Sequence, residues 1–268
     1  ISATIKLQKL PLRTMEKRIF SVESLVDTQK KMIKISKRWD YLISWNDLST
    51  SRSSGCGYIL AGRFAKKDSK VAMNSRYLAL DPSRKKLRFK LIREFSIPLI
   101  NKLYAFNLKL RGNQDCHFWN YVFPQARIGH YFDMYGQKGF FEHQVLIPHG
   151  AWEEYSHRFR LLQKKFSVPI LIGSLKLFSG KRKFLNFSGN GVSFTMNLLN
   201  NKKTLDFLNK VDELDCKTKS IANVAKDSRL RSSIVQKQYS EYNKFKKNIR
   251  SWSTDNIYES SLSRRLAI

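Results

Sequence analysis

A short polar cluster, Lys226-Asp227-Ser228-Arg229, follows a brief apolar run that includes Ile221 and Val224. The apolar run predicts a strand, and the pattern after the cluster predicts an amphipathic helix. A lysine at the end of a strand can reach into a cleft, because loops at strand ends carry chemistry on a rigid scaffold. The alternative is a solvated turn in which Asp227 and Ser228 help to cap the next helix. Taken alone, these residues favour the turn.

Polar side chains also interrupt three apolar strand patterns. They are Gln144 in residues 140–147, Lys176 in residues 169–178, and Ser193 and Thr195 in residues 192–199. Lysines are seldom buried without a partner, although Lys176 could equally face outward from a half-exposed strand. If Lys176 and Lys226 faced one cavity, they would bind an anion or a reduced cofactor.

The elements that must hold these side chains mix strands and helices without a regular β–α–β repeat, which predicts an α+β fold with a mainly antiparallel sheet. Alternation predicts strands over residues 1–7, 41–45, 58–64, 118–123, 140–147, 169–178 and 192–199, and one through Val224. Helical spacing predicts helices over residues 22–38, 98–110, 128–135, 152–166 and 203–214, a single closing helix from Val235 to Trp252, and a capped last turn over residues 260–266. Residues 66–90 are expected to form a long loop.

The chain is strongly basic, with 50 Lys and Arg against 21 Asp and Glu and a net charge of +29. This balance favours anionic partners, although a generally basic solvated surface would give the same count. The 42% of apolar residues supports a sizeable core, and no apolar run approaches the roughly 18 residues of a membrane span. The start does not resemble a signal peptide. Because the first residue is Ile1, we expect a processed N-terminus or a piece of a longer protein.

Metal and hydrolase chemistry find no support in the sequence. Cys56, Cys116 and Cys216 are odd in number and form no Cys-x-x-Cys pair, so neither a disulfide framework nor a zinc site is predicted. A reducing compartment fits this cysteine usage. The five histidines show no His-x-x-x-His spacing, and no Gly-x-Ser-x-Gly sequence is present.

Six segments in one order resemble the C-terminal half of FAD-linked sugar oxidases of the vanillyl-alcohol-oxidase superfamily, and most of all the decaprenylphosphoryl-β-D-ribose 2'-oxidases. The segments are Ile1–Leu7, Tyr41-Leu42-Ile43-Ser44-Trp45-Asn46-Asp47, the run from Tyr135-Gly136 to Gln144, Lys176-Leu177-Phe178 with Ala225-Lys226-Asp227-Ser228-Arg229, and Ser263-Arg264-Arg265-Leu266. The order of the segments is specific to the family and less so to one substrate.

The resemblance implies a role for each candidate residue. Lys226 would act at the flavin edge as the catalytic residue, and Lys226, Asp227 and Arg229 would bind FAD. Gln144, Lys176, Ser193, Thr195 and Tyr121 would line the sugar-phosphate pocket. The reaction implied is oxidation of a CH–OH group, with hydride transfer from the ribose C2' to flavin in the synthesis of an arabinose precursor for the cell wall.

Four positions depart from the family pattern and affect the same pocket. Val122 takes the place of a pocket tyrosine, unless Tyr121 substitutes for it. Glu142 stands where the family has the first glutamine of Gln-Tyr-Gln, and Ser193 and Thr195 stand where it has asparagine and cysteine. These changes bear on sugar-lipid specificity rather than on the flavoenzyme framework.

The resemblance also implies a domain plan: residues 1–10 end an FAD-binding domain, residues 11–217 form the substrate (cap) domain, and residues 218–268 pack back on the flavin side. The rest of the FAD-binding domain would precede Ile1, so this chain alone should hold flavin poorly. Expected partners are a polyprenyl-phosphate sugar or another small sugar, a separate ketoreductase and an anionic membrane surface, without nucleic acid. The expected location is cytoplasmic, with peripheral attachment to the inner membrane as an option.

Two alternatives stay open. The first is an aldonolactone or alditol oxidase of the same superfamily. The second is a basic module that binds nucleic acid or a membrane, which would show steeply salt-dependent binding.

Overall fold

The computed structural model describes residues 4–51, 53–71, 90–124, 131–252 and 259–268. Its strands are β1 (Thr14–Val22), β2 (Tyr41–Leu48), β3 (Gly57–Phe64), β4 (Cys116–His117), β5 (Phe140–Pro148), β6 (Ile170–Phe178), β7 (Gly191–Leu199) and β8 (Ile221–Ala222). They form one sheet in the order β4-β1-β3-β2-β6-β7-β5-β8, and every neighbouring pair is antiparallel. The predicted α+β fold with a mainly antiparallel sheet flanked by helices is confirmed.

Helices pack on both faces of this sheet. They are α1 (Leu25–Ile35), α2 (Ile97–Arg111), α3 (Phe118–Val122), α4 (Trp152–Phe166), α5 (Lys202–Lys217), α6 (Ser232–Gln238), α7 (Tyr242–Trp252) and α8 (Ser261–Leu266). Side chains of α1, α4 and α5 meet alternate strand residues in the main core. Trp152, Tyr155 and Phe159 of α4 are spaced three and four residues apart and are fully buried there.

The opposite face of the sheet carries two smaller clusters. At one end, α6 and α8 pack around Leu146 of β5. Further along, α2 and residues 131–135 pack on the sheet beside Leu171 and Leu199. The Tyr104 ring of α2 lies 5.1 Å from the Trp45 ring of β2, measured between centroids. Asn46 pairs with Gly173, so these two residues point to the same face of the sheet. Neighbouring residues of a strand point to opposite faces, so Trp45 and Lys176 both point to the other face. Helix α2, which contacts Trp45, therefore lies on the face that bears Lys176.

A seam between β2 and β6 joins the two halves of the sheet, and its register shifts between Asn46 and Leu48. One buried hydrogen bond crosses the irregular register, and two others hold its acceptor on the β2 side. The Ser44 hydroxyl donates to Asn46 Oδ1 (2.6 Å), Asn46 Nδ2 donates to Thr28 Oγ1 (2.7 Å), and the Leu175 N–H donates to Ser44 Oγ (2.8 Å). These bonds satisfy polar groups that burial would otherwise penalise.

Most of the predicted elements are present, with shifts at their ends. The strands expected at residues 41–45, 58–64, 140–147, 169–178 and 192–199 are β2, β3, β5, β6 and β7, and the helices expected at residues 22–38, 98–110, 152–166 and 203–214 are α1, α2, α4 and α5. The capped last turn is α8, where Ser260 Oγ accepts from the Ser263 N–H. Residues 66–71 have neither helix nor strand, as expected for the loop, and residues 72–89 lie outside the described residues.

The strand predicted over residues 118–123 is wrong, because residues 118–122 form helix α3. His117 is its N-cap, and the His117 Nδ1 accepts a hydrogen bond from the Trp119 N–H (3.2 Å). The aromatic residues fit a strand by propensity, but strand propensity depends on context, and here the local cap favours a helical turn.

Three other predictions fail at the ends of the chain or at turns. Thr4–Leu7, the described part of the first predicted strand, has no strand. The helix expected over residues 128–135 is a 3-10 turn at Asp133–Tyr135 ended by Gly136, and residues 128–130 lie outside the described residues. The strand expected through Val224 is β8, which ends at Ala222.

The single closing helix is also wrong, since it divides into α6 and α7. Tyr239 interrupts it with an extended backbone. The Tyr239 hydroxyl donates to the Ala222 carbonyl (2.7 Å), so a tertiary hydrogen bond holds this break. The C-terminal segment, residues 218–268, therefore joins the same sheet as the rest through β8 and rests on it through α6.

Candidate functional site

The sheet register brings four of the predicted site residues onto one face. Gln144 of β5 pairs with Thr195 of β7, and Ser193 of β7 pairs with Lys176 of β6. The intervening residues of these strands point into the main core on the other face. Residues that are far apart in the chain thus form one polar area across three adjacent strands.

Hydrogen bonds link this area to the turn after β8. The Asn223 side-chain amide donates to Gln144 Oε1 (2.8 Å), and Gln144 Nε2 donates to Ser193 Oγ (3.1 Å). The Asn223 N–H also donates to the Gln144 carbonyl (2.7 Å). Gln144 and Ser193 are both buried. The amide of Gln144 is therefore fixed in orientation, because both of its polar atoms are bonded within the protein.

Lys226 lies at the edge of this area and forms an ion pair with Glu142, at 2.6 Å between Nζ and Oε1. The Lys226 side chain is 45% exposed and that of Glu142 25%. The turn is closed by a hydrogen bond from the Lys226 N–H to the Asn223 carbonyl (3.1 Å). An exposed ion pair of this kind stabilises the fold little, so the ammonium group remains available to a ligand.

The charges of Lys226 and Glu142 both affect the pKa of Lys176. Although its side chain is exposed, partial burial of its ammonium lowers its pKa, the Lys226 charge lowers it further, and Glu142 opposes both effects. The three charged groups consequently act on one another across the same face. Two cations and one carboxylate give this face a positive balance, and a bound anion would relieve the repulsion between the lysines.

Two tyrosines and an asparagine extend the area beyond the predicted residues. Asn197 of β7 pairs with Glu142, and its side-chain amide donates to the Tyr131 hydroxyl (3.0 Å). The hydroxyls of Tyr131 and Tyr135 lie 3.1 Å apart. Asn197 could have been found from the sequence, because it continues the every-second-residue pattern of Ser193 and Thr195.

Asp227 and Arg229, predicted beside Lys226 as cofactor-binding residues, lie instead in a buried ion-pair cluster. Arg229 forms two bonds with Asp212 of α5, at 2.7 and 2.8 Å, and one with Asp227 at 3.0 Å. The side chains are 7% exposed for Arg229 and 1% for both carboxylates. The N-cap of α6 is Arg231, so neither Asp227 nor Ser228 caps that helix.

His143 is the centre of this buried cluster and was not identified from the sequence. Burial alone would lower its pKa, but the hydrogen bonds and charges of Asp215 and Asp227 outweigh burial and raise it to about 10. The protonated ring donates from Nδ1 to Asp227 (2.8 Å) and from Nε2 to Asp215 (3.1 Å). The Tyr155 hydroxyl donates to the second oxygen of Asp215 (2.9 Å).

The cluster contains a group with metal-ligand chemistry, since ligand atoms of His143, Asp212 and Asp215 lie within 4.8 Å of one another. Arg229, however, already holds both oxygens of Asp212. The pKa of about 10 keeps His143 protonated at neutral pH, and a protonated imidazole has no free electron pair for a metal. The arrangement therefore works as an internal ion-pair network that ties α5 and the turn after β8 to β5.

The charge on His143 makes the stability of the fold depend on pH. Its folded-state pKa of about 10 exceeds the ordinary value of 6.5, so its contribution is complete below about pH 6.5 and is lost as the pH rises towards 10. We expect the free energy of unfolding to fall over this range more steeply in the wild type than in His143→Gln. Urea unfolding at several pH values measures this, with exposed His157→Gln as the control. Equal slopes for His143→Gln and the wild type would contradict the ion pair.

Tyr121, the remaining predicted site residue, lies over the other half of the sheet. Its hydroxyl is within hydrogen-bonding distance of the carbonyls of Tyr41 (2.9 Å) and Leu60 (3.0 Å), on β2 and β3. Its ring passes so close to Gly62 that a Cβ there would lie 2.5 Å from it. Strands β6 and β7 separate β2 from β5, so Tyr121 is not brought together with Gln144.

Comparison with models of known protein families and with curated protein sequences finds no match. What this chain does must therefore be argued from its polar sheet face and from the resemblance of its segments. That face carries two lysines, side-chain amides and hydroxyls, which are groups of the kind that bind anionic or hydroxyl-rich ligands.

Proposed function

We propose that this chain forms the substrate-binding (cap) domain and the C-terminal segment of an FAD-dependent oxidoreductase that oxidises a sugar hydroxyl. One observation carries the proposal: a single sheet face and its adjoining turn hold Gln144, Lys176, Ser193, Thr195 and Lys226 together. Gln144, Lys176 and Lys226 lie where the sequence resembles the family's substrate and flavin residues, and Ser193 and Thr195 occupy the positions of its asparagine and cysteine.

FAD would supply the hydride acceptor, and its flavin carries negative charge once reduced. Lys226 fits this group, because its half-exposed ammonium is held by one carboxylate on the surface. A cation fixed where negative charge develops stabilises the transition state. Asp227 and Arg229 give no such support, since their side chains bond within the buried cluster. The fit to FAD thus depends on Lys226.

The substrate we propose is a phosphorylated sugar, with the 2'-OH of a polyprenylphosphoryl-ribose as the oxidised group. Lys176 would bind the phosphate, whose charge would raise the lowered pKa of this lysine and hold it as a cation. Gln144, held from below by the buried Ser193 and from the side by Asn223, would form the polar floor of the sugar site. Loss of a hydride from C2' and a proton from the 2'-OH would leave a 2'-keto sugar, which a separate ketoreductase would reduce to the arabinose form.

The proposal is tested with the protein joined to the FAD-binding domain that the resemblance places before Ile1. We expect that protein to bind FAD and its flavin to be bleached by a phosphoryl-ribose lipid without oxygen. Lys176→Met should raise the KM for the lipid about 10- to 100-fold, because a charge-assisted bond to phosphate is lost. Lys181→Met, which removes an exposed lysine just after β6, is the matched control.

Other results would point to the alternatives. Bleaching by a free aldonolactone or alditol, but not by the lipid, would favour another oxidase of the superfamily. A protein that binds no flavin, and instead binds nucleic acid with steep salt dependence, would replace the oxidase proposal with a basic binding module.

A further inference from the structure

Helix α2 is apolar on two opposite sides. Its inner side is fixed to the sheet: Ile97 and Leu108 are buried, Tyr104 contacts Trp45, and the Asn101 amide donates to Asp47 Oδ1 (2.9 Å). A helix with apolar residues all round is normally buried all round. The outer side of α2 is therefore the feature that needs an explanation.

The outer side of α2 presents a continuous row of large apolar side chains. Leu99, Leu103, Phe106 and Leu110 are 60–70% exposed, and Phe95, one turn before them, is 77% exposed. With about 100° of rotation per residue, Leu99, Leu103, Phe106 and Leu110 fall within about 30° of one line along the helix, and Phe95 lies in the turn just before the helix begins. Isolated exposed apolar residues are ordinary, but a contiguous row marks an interaction surface. We call these five residues the outer row.

Positive charges flank the outer row. Lys102 and Lys109 are exposed and, by the same rotation, lie about 60–80° to one side of it. Helix α2 has no acidic residue. Glu94, just before Phe95, is paired with Lys203 at 2.5 Å. The row is thus bordered by basic side chains, and the Glu94 carboxylate beside it is already paired.

We propose that α2 docks this protein on the surface of an anionic lipid bilayer, with the outer row inserted among the lipid chains. Apolar residues flanked by lysines are the pattern of helices that lie in the plane of a membrane. A second copy of the chain is disfavoured as the occupant, because each copy carries a net charge of +29. Among the described residues, no helix has the length and apolar content to cross a bilayer.

This docking has a geometric consequence but does not rest on the proposed oxidase function. Helix α2 covers the sheet face that also bears Lys176. Docking through α2 would turn that face towards the lipid surface. Binding to vesicles needs no flavin, so a failure of either proposal leaves the other open to its own test.

The test measures how much of the chain sediments with vesicles of equal parts phosphatidylglycerol and phosphatidylcholine, against vesicles of phosphatidylcholine alone. We expect binding to the anionic vesicles and at least about tenfold weaker binding to the neutral ones. Leu103→Ser with Phe106→Ser should weaken binding to anionic vesicles about tenfold or more, through loss of inserted apolar area. Lys102→Gln with Lys109→Gln should weaken it by about fivefold per charge.

Matched variants on the other face of the sheet control for general effects. Ile33→Ser with Leu161→Ser removes two exposed apolar residues of α1 and α4, and Lys34→Gln with Lys165→Gln removes two exposed lysines there. Both should bind vesicles like the wild type. Far-ultraviolet circular dichroism and gel filtration verify that all variants are folded and monomeric.

Three outcomes would overturn the proposal. The wild type could fail to bind anionic vesicles. Leu103→Ser with Phe106→Ser could bind anionic vesicles as well as the control Ile33→Ser with Leu161→Ser. That result would assign vesicle binding to the general basic charge of the protein. Gel filtration could show a wild-type dimer that the same serine variant dissociates, which would make the outer row a contact between two copies.

Discussion

Replacing Lys226 by alanine is expected to slow reduction of the flavin by substrate about 10²- to 10³-fold in the FAD-loaded protein, the usual loss for one preorganised electrostatic group. The half-exposed ammonium would lie where negative charge develops on the flavin. Its loss should lower the rate at saturating substrate, because the group acts in the transition state rather than in substrate binding. Stopped-flow absorbance without oxygen measures this rate directly.

Two variants separate the charge of Lys226 from other effects. Lys226→Arg keeps a cation and should recover part of the rate, while Lys237→Ala removes an exposed lysine of α6 and should leave the rate unchanged. Thermal unfolding of Lys226→Ala should be close to that of the wild type, since the ion pair with Glu142 is exposed. Flavin reduction at the wild-type rate in Lys226→Ala would disprove the role assigned to it.

Replacing Arg229 by alanine is expected to lower the free energy of unfolding by about 3–5 kcal/mol, the loss seen when one partner of a buried ion pair is removed. The substitution would leave Asp212 without its two-bond partner and would remove one of the two cations that face Asp227. Since folded domains are stable by about 5–15 kcal/mol, a large part of the fold's stability would be lost. Urea unfolding followed by tryptophan fluorescence gives the value.

The matched control for this variant is Arg231→Ala. Arg231 lies two residues further along and is exposed, so its loss should change stability by less than about 0.5 kcal/mol. Arg229→Lys should fall between the two, because it retains the charge but loses the planar fork that holds both oxygens of Asp212. If Arg229→Ala and Arg231→Ala unfolded at the same urea concentration, the cluster would contribute no net stability.

The strongest sequence patterns predicted their elements well, for a physical reason. Strands β5, β6 and β7 are long and central, so burial imposes the period of two that the sequence shows. Strand β1 was missed because Glu16, Lys17 and Arg18 blur that alternation at the margin of the sheet. Helix α3 and the break at Tyr239 depend on a local cap and a tertiary hydrogen bond, which a periodicity count does not contain.

The polar sheet face could be predicted, but the buried cluster could not. Gln144, Ser193 and Thr195 share a face because their strands alternate, and that much is visible in sequence. His143 is the next residue to Gln144 and points the other way, so the same argument should have drawn attention to it. Its partners could not be inferred, since Asp215 and Asp227 lie 72 and 84 residues away. The sequence does hint that Asp215 is buried, because it lies one turn from Val211 on the apolar side of α5.

The seam between β2 and β6 has a consequence for how the chain reaches its native state. Strands β1 to β3 lie within residues 14–64 and β5 to β8 within residues 140–222, so each half of the sheet can pair among neighbours in sequence. Joining the halves requires Leu48 to meet Ile170 and closes the whole stretch between them as a loop. Such non-local closure is entropically costly and slows folding. During synthesis the first half would leave the ribosome well before β6, so the Ser44–Asn46–Thr28 bonds could form early, whereas the bond from the Leu175 N–H to Ser44 Oγ could form only once β6 arrives.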